Sequence, residues 1–196
     1  MPPILSTLVT ATLAFAATNI DDIFVVTLFF SQTGCRFRSA HIVAGQYLGF
    51  TALVAISLVG FFGGHILPRD WIGLLGFLPI FIGIRRWIHR HDPPQRPKSS
   101  VASTITVASV TFANGGDNIG VYTPLFASSD AARLTITLFV FYVLIAVWCV
   151  VGHSVTHHPA VVQVLSRSGH MVVPFVLVAL GFYIMWQSGT FKLLRL

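Results

Sequence analysis

The sequence of 196 residues contains no glutamate, and its acidic side chains are six aspartates: Asp21, Asp22, Asp70, Asp92, Asp117 and Asp130. Charged residues make up only 9% of the chain, where a soluble domain carries about a quarter, so a soluble single-core protein is a poor description. Cysteine is scarce too. Cys35 and Cys149 form no CxxC pair, which indicates neither a disulfide framework nor a structural zinc site. The 12 Lys and Arg residues leave a formal charge of +6, a balance that in a soluble chain would suggest nucleic acid. Here the basic residues sit between long uncharged runs and read as a topology signal. Nucleic acid is therefore not an expected partner.

What fills the chain is apolar: 55% of residues are hydrophobic. A bilayer core needs about 20 apolar residues per helix, and six stretches qualify, at 4–30, 41–62, 71–87, 101–127, 134–155 and 171–191. The first is expected to stay in the mature protein, since it lacks a basic flank and exceeds the roughly 7 to 15 apolar residues of a cleaved signal. The expected fold is an all-α membrane protein of six transmembrane helices. Odd-numbered connections carry eight basic residues, Arg36, Arg38, Arg85, Arg86, Arg90, Arg96, Lys98 and Arg167; the even ones and the C-terminus carry four, Arg69, Arg133, Lys192 and Arg195. The positive-inside rule then puts both termini outside. Residues 1–90 form one three-helix unit, the Pro-rich and charged segment 91–100 a cytoplasmic linker, and 101–196 a second three-helix unit.

Sliding the chain against itself by 95 residues aligns Asn19, Ile20, Asp21, Asp22 and Ile23 with Asn114, Gly115, Gly116, Asp117 and Asn118, and Tyr47 with Tyr142. The shared Asn-x-x-Asp interrupts the first and fourth spans. Three helices separate the copies, so the halves would be inverted repeats, with a substrate site near the midplane where they meet.

Asp21, Asp22 and Asp117 fall inside spans, where an ionised carboxylate costs roughly 2.5–3.5 kcal/mol at a helix centre. No Lys or Arg shares those spans. Protons or bound cations are the remaining ways to neutralise the charge, and carboxylates with amide and carbonyl oxygens suit divalent ions such as manganese, calcium or magnesium. Gly115 and Gly116 lower helix propensity by about 1 kcal/mol each, so the fourth span should break there and offer carbonyls. Asp22 and Asp117 rank first as metal ligands, then Asn19 and Asn114, then Asp21 and Asn118. The plainer alternative has the asparagines capping half-helices and the aspartates bonded, as neutral acids, to neighbouring hydroxyls.

Other signals are weaker. Seven of the eight histidines, His41, His89, His91, His153, His157, His158 and His170, fall on the cytoplasmic side; they either gather metal or simply populate polar ends. Cys149 reads as a small buried apolar residue. Gly45 and Gly49 suit close helix packing, with Gln46 beside them as a cavity-lining candidate. Pro79 and Pro174 are expected to kink the third and sixth spans. An intramembrane aspartyl protease would also pair two aspartates from separate spans, but it leaves Asp21 beside Asp22 unexplained.

Four separated stretches, residues 17–30 (ATNIDDIFVVTLFF), 45–50 (GQYLGF), 73–84 (GLLGFLPIFIGI) and 110–125 (VTFANGGDNIGVYTPL), resemble the cadmium resistance transporter family of bacteria, within the lysine exporter superfamily. The resemblance implies a multi-pass protein of the bacterial inner membrane that exports cadmium and related divalent cations, manganese, zinc or calcium among them. It points to Asn19, Asp21, Asp22, Asn114, Asp117 and Asn118 as the metal-handling residues. No cofactor is expected beyond the divalent metal carried as substrate. The partners are that ion and the lipid bilayer, with homodimerisation open. Within the same superfamily the alternative is an amino-acid exporter, against which an acid-rich site argues.

Overall fold

The computed structural model describes residues 3–20, 22–34, 37–66, 72–88, 103–156, 159–188 and 190. These form eight α-helices: α1 (Pro3–Asn19), α2 (Asp22–Ser31), α3 (Ser39–Ile66), α4 (Phe77–Ile88), α5 (Thr104–Asn114), α6 (Gly116–Ala127), α7 (Ala131–Val155) and α8 (Pro159–Gln187). No strand occurs among the described residues. A 3₁₀ turn, Gly73–Gly76, leads into α4.

Two elements are single spans by length alone. The 28 residues of α3 extend about 42 Å and the 25 of α7 about 37 Å at 1.5 Å per residue, beyond the roughly 30 Å of a hydrocarbon core. Helices within 39–64 and 131–155 are long and apolar enough to cross a membrane, and α1 with α2 makes a third if the bent pair is one span. Asp130 starts α7: its carboxylate accepts from the Arg133 N–H at 2.8 Å and pairs with the Arg133 guanidinium at 3.5 Å. Ser103 caps α5 in the same way, accepting from Thr106 N–H at 3.2 Å. Each cap satisfies an N–H that the helix cannot bond internally.

The first and fourth expected spans are both broken. Between α1 and α2 the axis turns by 63°, just after the Ile20 N–H closes the last turn onto Ala16 O at 3.1 Å. Between α5 and α6 the break falls at Gly115, whose φ of −81° and ψ of 17° leave the helical well. Space rather than φ favours glycine there, because a Cβ would meet the Leu53 side chain of α3, which would have to move aside. The breaks therefore lie at the polar interruptions read from the sequence.

Pro79 behaves differently from expectation. It is the third residue of α4, at the handover from the 3₁₀ turn Gly73–Gly76 to α-helix, so it sits in a first turn, where proline is tolerated, and not in mid-helix. Pro174 lies within the continuous helix α8.

Close backbone approach organises the packing. Helix α3 lies on α5 and α6: a Cβ on Gly45 would come within 2.7 Å of Thr104 O, and one on Gly49 within 2.6 Å of Ala108 O. Gly60 and Gly64 continue the contact against Thr123 O and Ala127 O. Both pairs are small-xxx-small spacings, the device that lets helices meet closely where burial of apolar surface supplies no drive between them. Helix α7 packs on α1 and α2, with Gly152 against Val26, and α4 with the 3₁₀ turn before it packs on α8 through Gly76, Gly83 and Gly181. At the centre Phe15 touches Phe50, Phe141 and Trp148 at centroid distances of 5.8, 5.9 and 5.7 Å, and Tyr122 lies 4.5 Å from Phe141. Such edge and tilted pairs add about 0.5–1.5 kcal/mol each beyond buried area. The outer surface shows Phe139, Val150, Ile105 and Trp186, as a lipid-facing exterior requires.

Candidate metal-handling site

The two breaks are built alike. In each, an asparagine ends the half-helix that arrives, Asn19 on α1 and Asn114 on α5, and an aspartate lies in the first turn of the half-helix that leaves, Asp22 on α2 and Asp117 on α6. Arriving ends carry the negative pole of the helix dipole and unpaired carbonyls; leaving ends carry the positive pole. A carboxylate at a leaving end gains about 0.3–1 kcal/mol, up to roughly 2 when partly buried. That offsets part of the cost of holding the charge in a bilayer and leaves a remainder for other groups to meet.

Around Asn19 the polar groups form one connected network. Its side-chain Nδ2 is 2.9 Å from Phe15 O, 2.9 Å from Thr18 Oγ1 and 2.9 Å from the Tyr122 hydroxyl. The Thr18 and Tyr122 hydroxyls lie 2.9 Å apart, and Thr18 Oγ1 also reaches Ala14 O at 3.0 Å. Asn118 Nδ2 donates to Asn19 Oδ1 at 3.2 Å, and the Trp148 indole Nε1 donates to the Asn19 carbonyl at 2.9 Å. Asn19 is 5% exposed, Asn118 1% and Tyr122 not at all. Groups this deep are nearly always hydrogen-bonded, and here α1, α6 and α7 supply the bonds. Asp22, 7% exposed, opens α2 three residues along the chain from Asn19.

Of the six residues singled out in the sequence, the structure joins Asn19 directly to Asn118, and Asp22 is buried at the start of α2. The contact is not between the aligned asparagines. Asn118 lies one turn beyond Asn114, past the Gly115 break, and is the one that reaches Asn19. Asn114 Nδ2 is buried with no hydrogen-bond partner among the described residues, as are Asn118 Oδ1 and Thr111 Oγ1. Asp117 is half-buried at the start of α6. Asp21 lies outside the described residues. Thr18, Tyr122 and Trp148, which complete the network, had no signal in the sequence beyond being hydrogen-bonding groups inside apolar runs.

The remaining candidates resolve as structural parts where they are described. His41 Nδ1 accepts from Arg38 N–H at 3.1 Å and its ring stacks on Phe37. His153 meets Phe30 edge-on at 5.1 Å. His89, His91, His157 and His158, with Cys35, lie outside the described residues, and no group of three His, Cys, Asp or Glu side chains forms among those described. Cys149 is a buried free thiol in α7. Gly45 and Gly49 serve packing, and Gln46 is buried beside them.

The chemistry on offer is thus oxygen-rich: amide oxygens, hydroxyls, the carbonyls of two interrupted helices and one or two carboxylates. Such a set can hold a hard or borderline divalent cation. Comparison with known proteins adds a family. The family model for cadmium resistance transporters matches residues 15–196, nearly the whole chain. No curated protein and no solved structure matches it. Transport, not hydrolysis, is that family's business, so the aspartyl-protease reading falls away. The broken apolar helices, the lipid-suited exterior and this match together mean that the chain is a membrane protein and belongs to the cadmium resistance transporter family.

Proposed function

We propose that the protein exports divalent heavy-metal cations, cadmium foremost and manganese, zinc or calcium within its range, across the bacterial inner membrane by alternating access at the paired helix breaks. The observation that carries this reading is the hydrogen bond from Asn118 Nδ2 to Asn19 Oδ1, 3.2 Å long, which ties the two interruptions into one buried polar seat. Asp22 and Asp117 supply the negative charge, and Asn19, Asn114, Asn118 and Asp21 complete the ligand candidates. Two carboxylates can exchange one divalent ion for two protons without moving net charge, so a proton gradient is the natural drive.

Two inverted three-helix repeats, 1–90 and 101–196, joined by a cytoplasmic linker at 91–100, suit that motion. Support comes from residues that the 95-residue offset makes equivalent. Tyr47 and Tyr142 stack on each other at 6.1 Å and 19°, and the Tyr47 hydroxyl donates to Tyr142 O at 3.0 Å. Contact between equivalent residues is what a two-fold axis between such repeats would produce. The packing is exchanged in the same sense, the second span lying on the fourth and the fifth on the first.

Cadmium is soft and favours thiolate, whereas this seat offers oxygen; the reading therefore expects manganese or calcium to compete with cadmium. In proteoliposomes, cadmium or manganese flux should follow an imposed pH gradient and vanish in Asp117→Asn, while Asp130→Asn, at the surface cap of α7, keeps it. Flux indifferent to both the gradient and Asp117 would reject the proposal.

A further inference from the structure

We infer that Thr18 and Tyr122 are positioning residues for the Asn19–Asn118 amide pair, and that the oxygen they aim at the transported cation is Asn118 Oδ1. The inference rests on the transport reading above and names the atom through which that seat works.

It follows from which groups can donate. Phe15 O is a backbone carbonyl and only accepts, so the face of the Asn19 amide turned to it at 2.9 Å must be nitrogen. One Asn19 proton goes to Phe15 O and the other to the Tyr122 hydroxyl, with Thr18 Oγ1 also in reach. Tyr122 then sends its own proton to Thr18 Oγ1, and Thr18 sends its proton back along α1 to Ala14 O. The Thr18 proton is shared between Ala14 O and Phe15 O at 3.0 and 3.2 Å, both acceptors only, so the direction of the chain is fixed. With its nitrogen committed, Asn19 turns Oδ1 towards α6, where an acceptor can face only a donor. Asn118 must therefore present Nδ2, as observed at 3.2 Å, and its own Oδ1 is directed away from Asn19. That oxygen is in a residue 1% exposed and has no donor among the described residues. A buried acceptor without a donor is costly, and a cation removes the cost by coordination.

The polarity thus runs one way, from a helix carbonyl through Thr18, Tyr122 and Asn19 to an oxygen at the head of α6. Removing either hydroxyl takes away one acceptor of the Asn19 nitrogen and leaves Phe15 O to hold it with the other, so the Asn19 amide twists in its seat and the Asn118 oxygen loses its fixed direction. Shape and packing are little altered by Tyr122→Phe or Thr18→Val, so the effect falls on affinity.

The test uses the full chain in proteoliposomes with cadmium(II) and with manganese(II). Tyr122→Phe and Thr18→Val should raise KM for each ion about tenfold with Vmax held within about twofold, and Thr18→Ser should restore the wild-type KM. A fall in Vmax at unchanged KM, or wild-type kinetics in Thr18→Val, overturns the inference. A second measurement follows the Asn118 side-chain amide resonance in detergent as cadmium(II) is added; it should shift in wild type and Thr18→Ser and not in Thr18→Val. If neither ion crosses the vesicle membrane yet Asn118 still responds in this Thr18-dependent way, the transport reading fails and the positioning role stands. If flux proceeds while Asn118 stays silent, the positioning role fails and transport stands.

Discussion

Asn19 and Asn114 occupy matching places at the ends of α1 and α5, yet their surroundings differ sharply. Asn19 holds bonds to Phe15 O, the Tyr122 hydroxyl and Asn118, whereas Asn114 Nδ2 is buried without a partner among the described residues. Replacing a buried, bonded group strands its partners at about 1–3 kcal/mol apiece, while replacing an unbonded one removes a penalty already present. Asn19→Ala should therefore lower the unfolding temperature of the detergent-solubilised protein by several degrees, in line with a loss of about 2 kcal/mol. Asn114→Ala should leave it unchanged or raise it. Equal losses in both would mean that the two asparagines are held alike. The distinction was not legible beforehand. An offset of 95 residues treats the two motifs as copies, and although the paired glycines announced the break, nothing in Asn-x-x-Asp says that it brings Asn118 forward in place of Asn114.

Among elements, α3 is the one whose sequence already described its neighbours. Gly45 and Gly49 suggested close packing, and both face backbone of α5. The glycines of α3 are not interchangeable. A Cβ at Gly49 would sit 2.6 Å from Ala108 O and 2.8 Å from Thr111 Cβ, while one at Gly63 meets nothing within 4 Å. Gly63→Ala should stabilise the protein by roughly 0.5–1 kcal/mol through helix propensity alone. Gly49→Ala should destabilise it by about 1–3 kcal/mol, since backbone must move to admit the methyl. Denaturation in mixed micelles measures both, and a common sign for the two would refute the packing account. Helix breaks were equally readable, because Asn, Asp and paired Gly interrupt runs that are otherwise apolar. The Thr18–Tyr122 contact was not: its partners are 104 residues apart, each a lone hydroxyl with no periodic companion.

For the molecule as a whole, composition led to six spans, because a bilayer demands length and hydrocarbon before it demands any pattern; the described residues hold two helices long and apolar enough to cross, or three if α1 and α2 are one span. How the helices neighbour one another was not, since α7 returns to α1 and α2 across more than half the chain. The proposed orientation makes its own claim. Reporters fused at either end should read the external face and one inserted within 91–100 the cytoplasm; the reverse pattern would invert the assignment of every basic loop.

One contact at the seat has a practical use. Trp148 donates its indole N–H to the Asn19 carbonyl, while Trp87 and Trp186 are 47% and 78% exposed, far out on the hull. The protein thus carries an intrinsic fluorophore wired to the place where cargo is proposed to rest. Titrating cadmium(II) should change its emission, the change should survive Trp87→Phe and Trp186→Phe, and it should disappear in Trp148→Phe. Occupancy could then be followed in real time, without labels, while the protein turns over.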